Sequence, residues 1–147
     1  MKILLTGGSG QLGKSIIQLK PLNVDLIAPD KSKLDLSKTE SCIKFVKEEK
    51  PDWIINCGAF TNVDKAESEK ENVLLINHEA PKNFSKVLSD YGGKLLHISS
   101  DYVFDGKKGS PYLPHDKKTP LGIYGYTKSI GEDFINENLS DLNKGHI

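Results

Sequence analysis

Apolar residues alternate along this chain between short dense runs and helical spacing, and the switches between the two mark its elements. Residues 2–5 form an apolar run led by one lysine, which suits a buried strand. Thr6 and the glycines after it break the run. Leu12, Ile16, Ile17 and Leu19 then resume at helical spacing and predict a helix over about 11–20. A second strand is predicted over 24–28, ending at Pro29 and Asp30, and a further short strand over 33–36. Ser37 or Thr39 can cap a helix over about 38–49. Trp53, Ile54 and Ile55 supply a buried strand that ends in Asn56, Cys57, Gly58 and Ala59. Residues 61–91 read as helix in two pieces, a short charged one over about 63–69 and a long one over about 71–91. The long piece places Val73, Leu74, Ile76, Ala80, Phe84, Val87 and Leu88 largely on one face. Pro81 predicts a kink or an early break there, and Asn77, among apolar neighbours, a satisfied buried amide. A strand over 94–99 follows, then an aperiodic stretch over 101–123 rich in glycine, proline and charge. A loop of that length in a compact domain is usually functional. A helix over about 124–138 completes the pattern.

Strands alternating with helices through short connections predict an α/β fold, a Rossmann-type doubly wound parallel sheet with helices on both faces. Ligands on such sheets bind beyond the carboxyl ends of the strands. The glycine turn, Asp30, Gly58-Ala59 and Ser99-Ser100 all fall at such ends, so they converge on one rim.

Composition narrows the partners. The 147 residues suit one domain, and a formal charge of zero offers no bulk field for nucleic acid or a membrane surface. All 20 basic residues are lysine, which removes the arginine fork commonly used to clamp phosphate. No apolar run approaches the roughly 20 residues of a membrane span. The N-terminus enters a strand at once, which predicts no leader and a cytoplasmic location. Cys42 and Cys57 lack metal or redox spacing and read as free thiols.

The chemistry begins at Gly7, Gly10 and Gly13, spaced G-x-x-G-x-x-G, a variant of the dinucleotide fingerprint. Gly7 permits the tight turn, Gly10 lets a pyrophosphate approach the backbone, and Gly13 lets helix and strand pack closely. The free N–H groups of the following helix then make an anion site. Asp30 lies where such folds present a carboxylate to the adenosine ribose; a solvated turn aspartate accounts for it equally well. Lys31 and Lys33 could meet a 2′-phosphate instead, so the choice between NAD and NADP stays open, with NAD favoured. Tyr124 and Lys128 are four residues apart and share a helix face. A cation beside a phenol favours phenolate and brings it toward proton-transfer range. The same spacing arises by chance as a surface pair. Ser100, at the preceding strand end, could hydrogen-bond a substrate carbonyl.

The segments TGGSGQLG, NCGAFTNVDKAES, HISSDYVFDG and PLGIYGYTKSIGE resemble, in order and spacing, the extended short-chain dehydrogenase/reductases, and more narrowly the dTDP-4-dehydrorhamnose reductase family. Asp101, Tyr102, Phe104 and Asp105 carry the narrower match, and the resemblance runs over essentially the whole chain. It implies NADH or NADPH as cofactor and reduction of the C4 ketone of a dTDP-sugar. Tyr124 would donate the proton; Lys128 would lower the phenol's pKa and hold the nicotinamide ribose. Ser100 stands where the family commonly has threonine. Gly7 and Gly10 with Gln11 and Leu12 would meet the pyrophosphate, Asp30 the ribose, and Asp35 and Leu36 the adenine. Ala59, Phe60, Thr61 and Ile98 would line the cofactor cleft, with Ser100 and Asp101 touching the sugar. A homodimer, with Mg2+ at its interface, also belongs to what the resemblance implies.

Family members continue for about as many residues again, into a sugar-nucleotide domain. The chain is therefore expected to stop inside the fold, where the next core strand would begin. That would leave the strand over 94–99 as an open edge and the last helix short of cover. Two alternatives remain: a nucleotide-sugar epimerase or dehydratase, for which Asp101 could be an added catalytic acid, and a non-catalytic dinucleotide-binding regulatory subunit, like the relative associated with methionine adenosyltransferase. Intact Ser100, Tyr124 and Lys128 disfavour the second.

Overall fold

A computed structural model describes residues 1–147. Strand β1 (Lys2–Thr6) is central because its middle is wholly apolar; Leu4 and Leu5 are fully buried. It is followed by α1 (Gln11–Leu19), β2 (Asp25–Ile27), α2 (Thr39–Glu49) and β3 (Trp53–Asn56). Helices α3 (Val63–Ala66) and α4 (Lys70–Leu74) lead into a π-helical turn (Leu75–Glu79) and α5 (Ala80–Ser89). Then come β4 (Lys94–His97), a 3-10 turn (Asp101–Val103), α6 (Ile123–Asn138) and β5 (Lys144–His146). The strands form one parallel sheet in the order β2-β1-β3-β4-β5.

The chain leaves β1 for β2 on one side and returns across it to β3, so the order reverses between β1 and β3. Right-handed crossovers then set α1 on one face and α2, α5 and α6 on the other. The shared core confirms the crowded face: Leu4, Ile54 and Leu95 of the sheet pack with Cys42 and Val46 of α2, Phe84 and Leu88 of α5, and Ile135 of α6. The opposite face carries α1 alone, and Leu12, Ile17 and Leu19 of that helix stay exposed.

Several expectations change. Residues 33–36 form turns, because Asp30 competes for the backbone: its carbonyl accepts from Lys33 and Leu34, and its Oδ1 accepts from Ser32 and Lys33 N–H. Leu34 is thereby dropped into the core. Neither Ser37 nor Thr39 caps α2; the helix starts after Lys38 without a side-chain cap, and the Ser37 hydroxyl donates to Asp35 at 2.7 Å. The long helix over 71–91 is split by the π turn, in which Ala80 N–H bonds to Leu75 O, five residues back. Pro81, lacking an N–H, sits in the first turn of α5 just beyond this widening. The strand over 94–99 ends at His97 and is not the sheet edge. Strand β5 pairs with it, Leu95 opposite Lys144 and His97 opposite His146. Helix α6 is well covered, packing on α5 and the π turn; the thinly covered element is α1.

Candidate active site

The turn after β1 works by close approach. Gly7 has φ +68°, and a Cβ there would stand 2.6 Å from Gly58 N, so the turn is pressed against the end of β3. At Gly13 a Cβ would come within 2.2 Å of Gly7 O, which seats α1 on the turn. Helix α1 has no side-chain cap and no acid in its first turn, so its N–H groups face outward beside exposed Gly10, Gln11 and Leu12.

Next to this helix end lies a cleft of about 240 Å³ lined by Gly7, Asp30, Asp35, Leu36, Ala59 and Ile76 among others. Five of the residues expected to hold a dinucleotide therefore meet in one place. Asp30 is both things anticipated for it. Its Oδ1 accepts from Ser32 Oγ at 2.6 Å as a turn aspartate does, and it also lines the cleft. The Ser32 hydroxyl, then the Lys33 amide, hold its carboxyl below the usual range. Asp35 is lowered likewise, first by the Ser37 hydroxyl. Phe60 is fixed by the buried amide of Asn77, which accepts from Phe60 N–H at 2.8 Å and donates to Phe60 O at 3.1 Å. The expectation of a satisfied Asn77 is met, and its amide braces the segment that carries Ala59 and Thr61.

A second cleft of about 550 Å³ is lined by Tyr124, Asp101, Tyr102, Phe104 and Tyr112 among others. The Tyr124 ring stands edge-on to Tyr102, centroids 5.5 Å apart. Helix α6 reaches this wall because Gly125 lies against the 3-10 turn, where a Cβ would meet Tyr102 O at 2.0 Å. Its N-terminus is closed by Glu67, whose Oε1 accepts from Ile123 N–H at 2.8 Å. Phe104 stacks on Tyr112 at 4.3 Å, and the Tyr112 hydroxyl donates to Asp105, so part of the long loop is built. Ser100 Oγ accepts from Tyr102 N–H at 3.1 Å, which makes it the cap of the 3-10 turn.

Lys128 lies one turn beyond Tyr124 but is turned inward, 1% exposed. Its Nζ donates to Ile98 O at 2.5 Å and lies 3.2 Å from His97 Nε2. Burial pulls its pKa down to about 8, against the pull of Glu132 and Cys57. Sequence reasoning missed His97 and its neighbours Asn56 and Thr6. Each is the first polar residue at the end of an apolar strand, and that shared position was the available signal.

No three His, Cys, Asp or Glu side chains gather to hold a metal, so the Mg2+ expected at a dimer interface finds no ligand cluster within this chain. No helix is long and apolar enough to cross a membrane.

Known proteins match this arrangement closely. The dTDP-4-dehydrorhamnose reductase of Escherichia coli (strain K12) is 40% identical over 142 residues, covering 93% of this chain and 47% of that protein. The crystal structure of a dTDP-4-dehydrorhamnose reductase from Clostridium acetobutylicum superposes with a TM-score of 0.91 at 39% identity, covering 99% of this chain and 52% of that one. The reductase from Bacillus anthracis, solved in complex with NADP, superposes with a TM-score of 0.90 at 34% identity, over 99% of this chain and 51% of its own. The chain thus spans about half the length of the curated relatives it matches. The model of the RmlD substrate binding domain matches residues 1–143, and the chain belongs to that family.

Proposed function

We propose that this chain supplies the dinucleotide-binding and proton-donating half of an NAD(P)H-dependent reductase that converts dTDP-4-dehydro-6-deoxy-L-mannose to dTDP-L-rhamnose. The observation that supports the reading is that the glycine turn with Asp30 lines one cleft and Tyr124 another, both at the carboxyl ends of strands of one parallel sheet. The named activity of the Escherichia coli and Clostridium relatives supports the substrate, and the NADP complex of the Bacillus relative supports the cofactor.

The residues present fit a dinucleotide. The first-turn N–H groups of α1 would receive the pyrophosphate, since anions are favoured there by free donors and the helix dipole. Asp30 keeps one carboxylate oxygen free of its turn for a ribose hydroxyl. Asp35 and Leu36 would flank the adenine, and Ala59, Phe60, Thr61 and Ile98 the rest of the cleft. The bound cofactor supplies hydride to the C4 carbon. Tyr124 would hold the proton that passes to the C4 oxygen, with Ser100 steering that oxygen through its hydroxyl. Lys128 would position the nicotinamide ribose. The reading carries a cytoplasmic, homodimeric enzyme.

The alternative of an epimerase or dehydratase rests on Asp101, which lines the same cleft as Tyr124. Replacing the matched half of the Escherichia coli reductase by residues 1–143 gives a chimera in which both readings can be tested. NADH oxidation with release of the rhamnosyl nucleotide is expected, and Tyr124→Phe is expected to lower kcat by roughly 10²–10⁴-fold, the span of general acid catalysis. Near-normal turnover in that variant, or an epimerised product, would overturn the assignment.

A further inference from the structure

Thr6, Asn56 and His97 occupy the last positions of β1, β3 and β4 and stand in register, Thr6 opposite Asn56 and Asn56 opposite His97. All three are buried, and with Lys128 they form one hydrogen-bonded row. Hydrogen bonds have direction, and the row admits two settings, of which the structure holds one. The Gly58 amide can only donate, so Thr6 Oγ1 accepts from it at 3.1 Å. The Thr6 hydroxyl then donates to Asn56 Oδ1 at 2.5 Å, which turns the amide nitrogen of Asn56 toward His97 Nδ1 at 2.9 Å. A ring nitrogen that accepts carries no proton, so the neutral imidazole holds its proton on Nε2, facing Lys128.

That arrangement suits an uncharged amine, whose lone pair accepts from Nε2–H while its own hydrogens serve Ile98 O. An ammonium has no lone pair. With Lys128 protonated, the ring must present a bare Nε2 and carry its proton on Nδ1. Asn56 then turns its amide, Oδ1 accepting from Nδ1–H and Nδ2 donating to Thr6.

We propose that His97 is a positioning residue for Lys128, switching between its two neutral tautomers as the lysine gains or loses its proton, with Asn56 and Thr6 following. Burial keeps His97 itself well below the ordinary imidazole range, so the ring does not charge in competition. The other titratable groups around the lysine are Cys57 just after β3, Glu132 on its own helix, and His146 on β5. His146 stands edge-on to His97 at 6.3 Å. Glu132 is already engaged by the Ser99 hydroxyl and by Lys118. The row ends at Thr6 and Gly58, both on the wall of the first cleft, so the charge state of Lys128 is tied to the floor on which a dinucleotide would lie.

The relevance to turnover rests on the reductase reading; the coupling is a property of the chain alone and is tested on it. Nitrogen NMR of histidine-labelled chain, with His97 assigned by its loss in His97→Gln, is followed from about pH 6 to about pH 10, spanning the ordinary ranges of histidine and lysine. The expected result is an Nδ1–H tautomer at low pH giving way to Nε2–H, with a midpoint near the lysine's value of about 8. Lys128→Met should abolish the transition. One tautomer throughout the wild-type titration, formation of imidazolium, or a transition that survives in Lys128→Met would overturn the proposal. A chimera that oxidises no NADH would instead undo the reductase reading and leave this result intact.

Discussion

Lys128 shows how a single residue can work against the fold that holds it. Its pKa falls from 10.5 to about 8, and at about 1.36 kcal/mol per unit the charged form is disfavoured by about 3 kcal/mol. Below the lowered value the lysine is protonated in both folded and unfolded chains, so this penalty is fully present at pH 7. Between 8 and 10.5 the unfolded chain binds more protons, so stability rises with pH until the penalty is gone. Lys128→Met removes the penalty and forfeits a charge-assisted bond to Ile98 O, worth about 1.5–3 kcal/mol. The variant should therefore be at least as stable as wild type at pH 7, by up to about 1.5 kcal/mol, and lose that advantage toward pH 10. A variant that melts lower at pH 7 would mean that the hydrogen bonds of Lys128 outweigh its desolvation.

At the scale of elements, the two loops that shape the first cleft are held in different ways. The turn over 30–37 is folded by its own aspartates, so Asp30 is fixed while Lys31 and Lys33 remain exposed. If Asp30 meets the ribose as proposed, and with no arginine in the chain, NADH should bind at least as well as NADPH in calorimetric titration. A tenfold preference for NADPH, about 1.4 kcal/mol, would assign the pocket to the lysines. The segment over 59–61 is instead braced from the π turn. Asn77→Leu would strand the Phe60 N–H and C=O, costing about 1–3 kcal/mol, and should weaken dinucleotide binding. Unchanged binding would mean that the brace is dispensable. These elements also mark what the sequence could and could not convey. The strands, α1 and the Tyr124–Lys128 helix were legible because apolar spacing reports burial directly. The turn over 33–36 was misjudged because side-chain hydrogen bonds of Asp30 and Asp35 won against a short apolar pattern. The row of Thr6, Asn56 and His97 was legible only as three polar residues ending apolar strands; its alignment depends on register between strands, which no single segment encodes. For β5 the sequence marks only the place where a next core strand would begin; that it already pairs was not legible, because Lys144, Gly145 and His146 have no strand signature of their own and pair because β4 offers an edge.

For the molecule as a whole, one face of the sheet is crowded and the other is sparse. The accessible surface of 8489 Å² exceeds the roughly 7,500 Å² expected of a compact chain of 16.2 kDa. The chain should accordingly sit at the low end of the usual stability range of about 5–15 kcal/mol, as denaturant titration can measure. Its acid response should begin early. Burial lowers His78, His97 and His146 below 6.5, so the unfolded chain takes up protons first as the pH falls through that value. Stability is then lost before the carboxylates titrate, and the melting temperature should fall between pH 7 and pH 5. A flat profile there would contradict the burial of these rings. The π turn links core and cleft, since Ala80 just beyond it packs in the core while Ile76 within it lines the first cleft and Asn77 braces Phe60. Each helical residue advances the chain by about 100°, one turn being about 3.6 residues. Deleting one residue within 75–79 would restore an ordinary helix and rotate α4 against α5 by that angle. The core and the cleft would then compete for the same register, and only one could keep it. The extra residue acts as a spacer in the winding of the chain, and its presence is counted in two places at once.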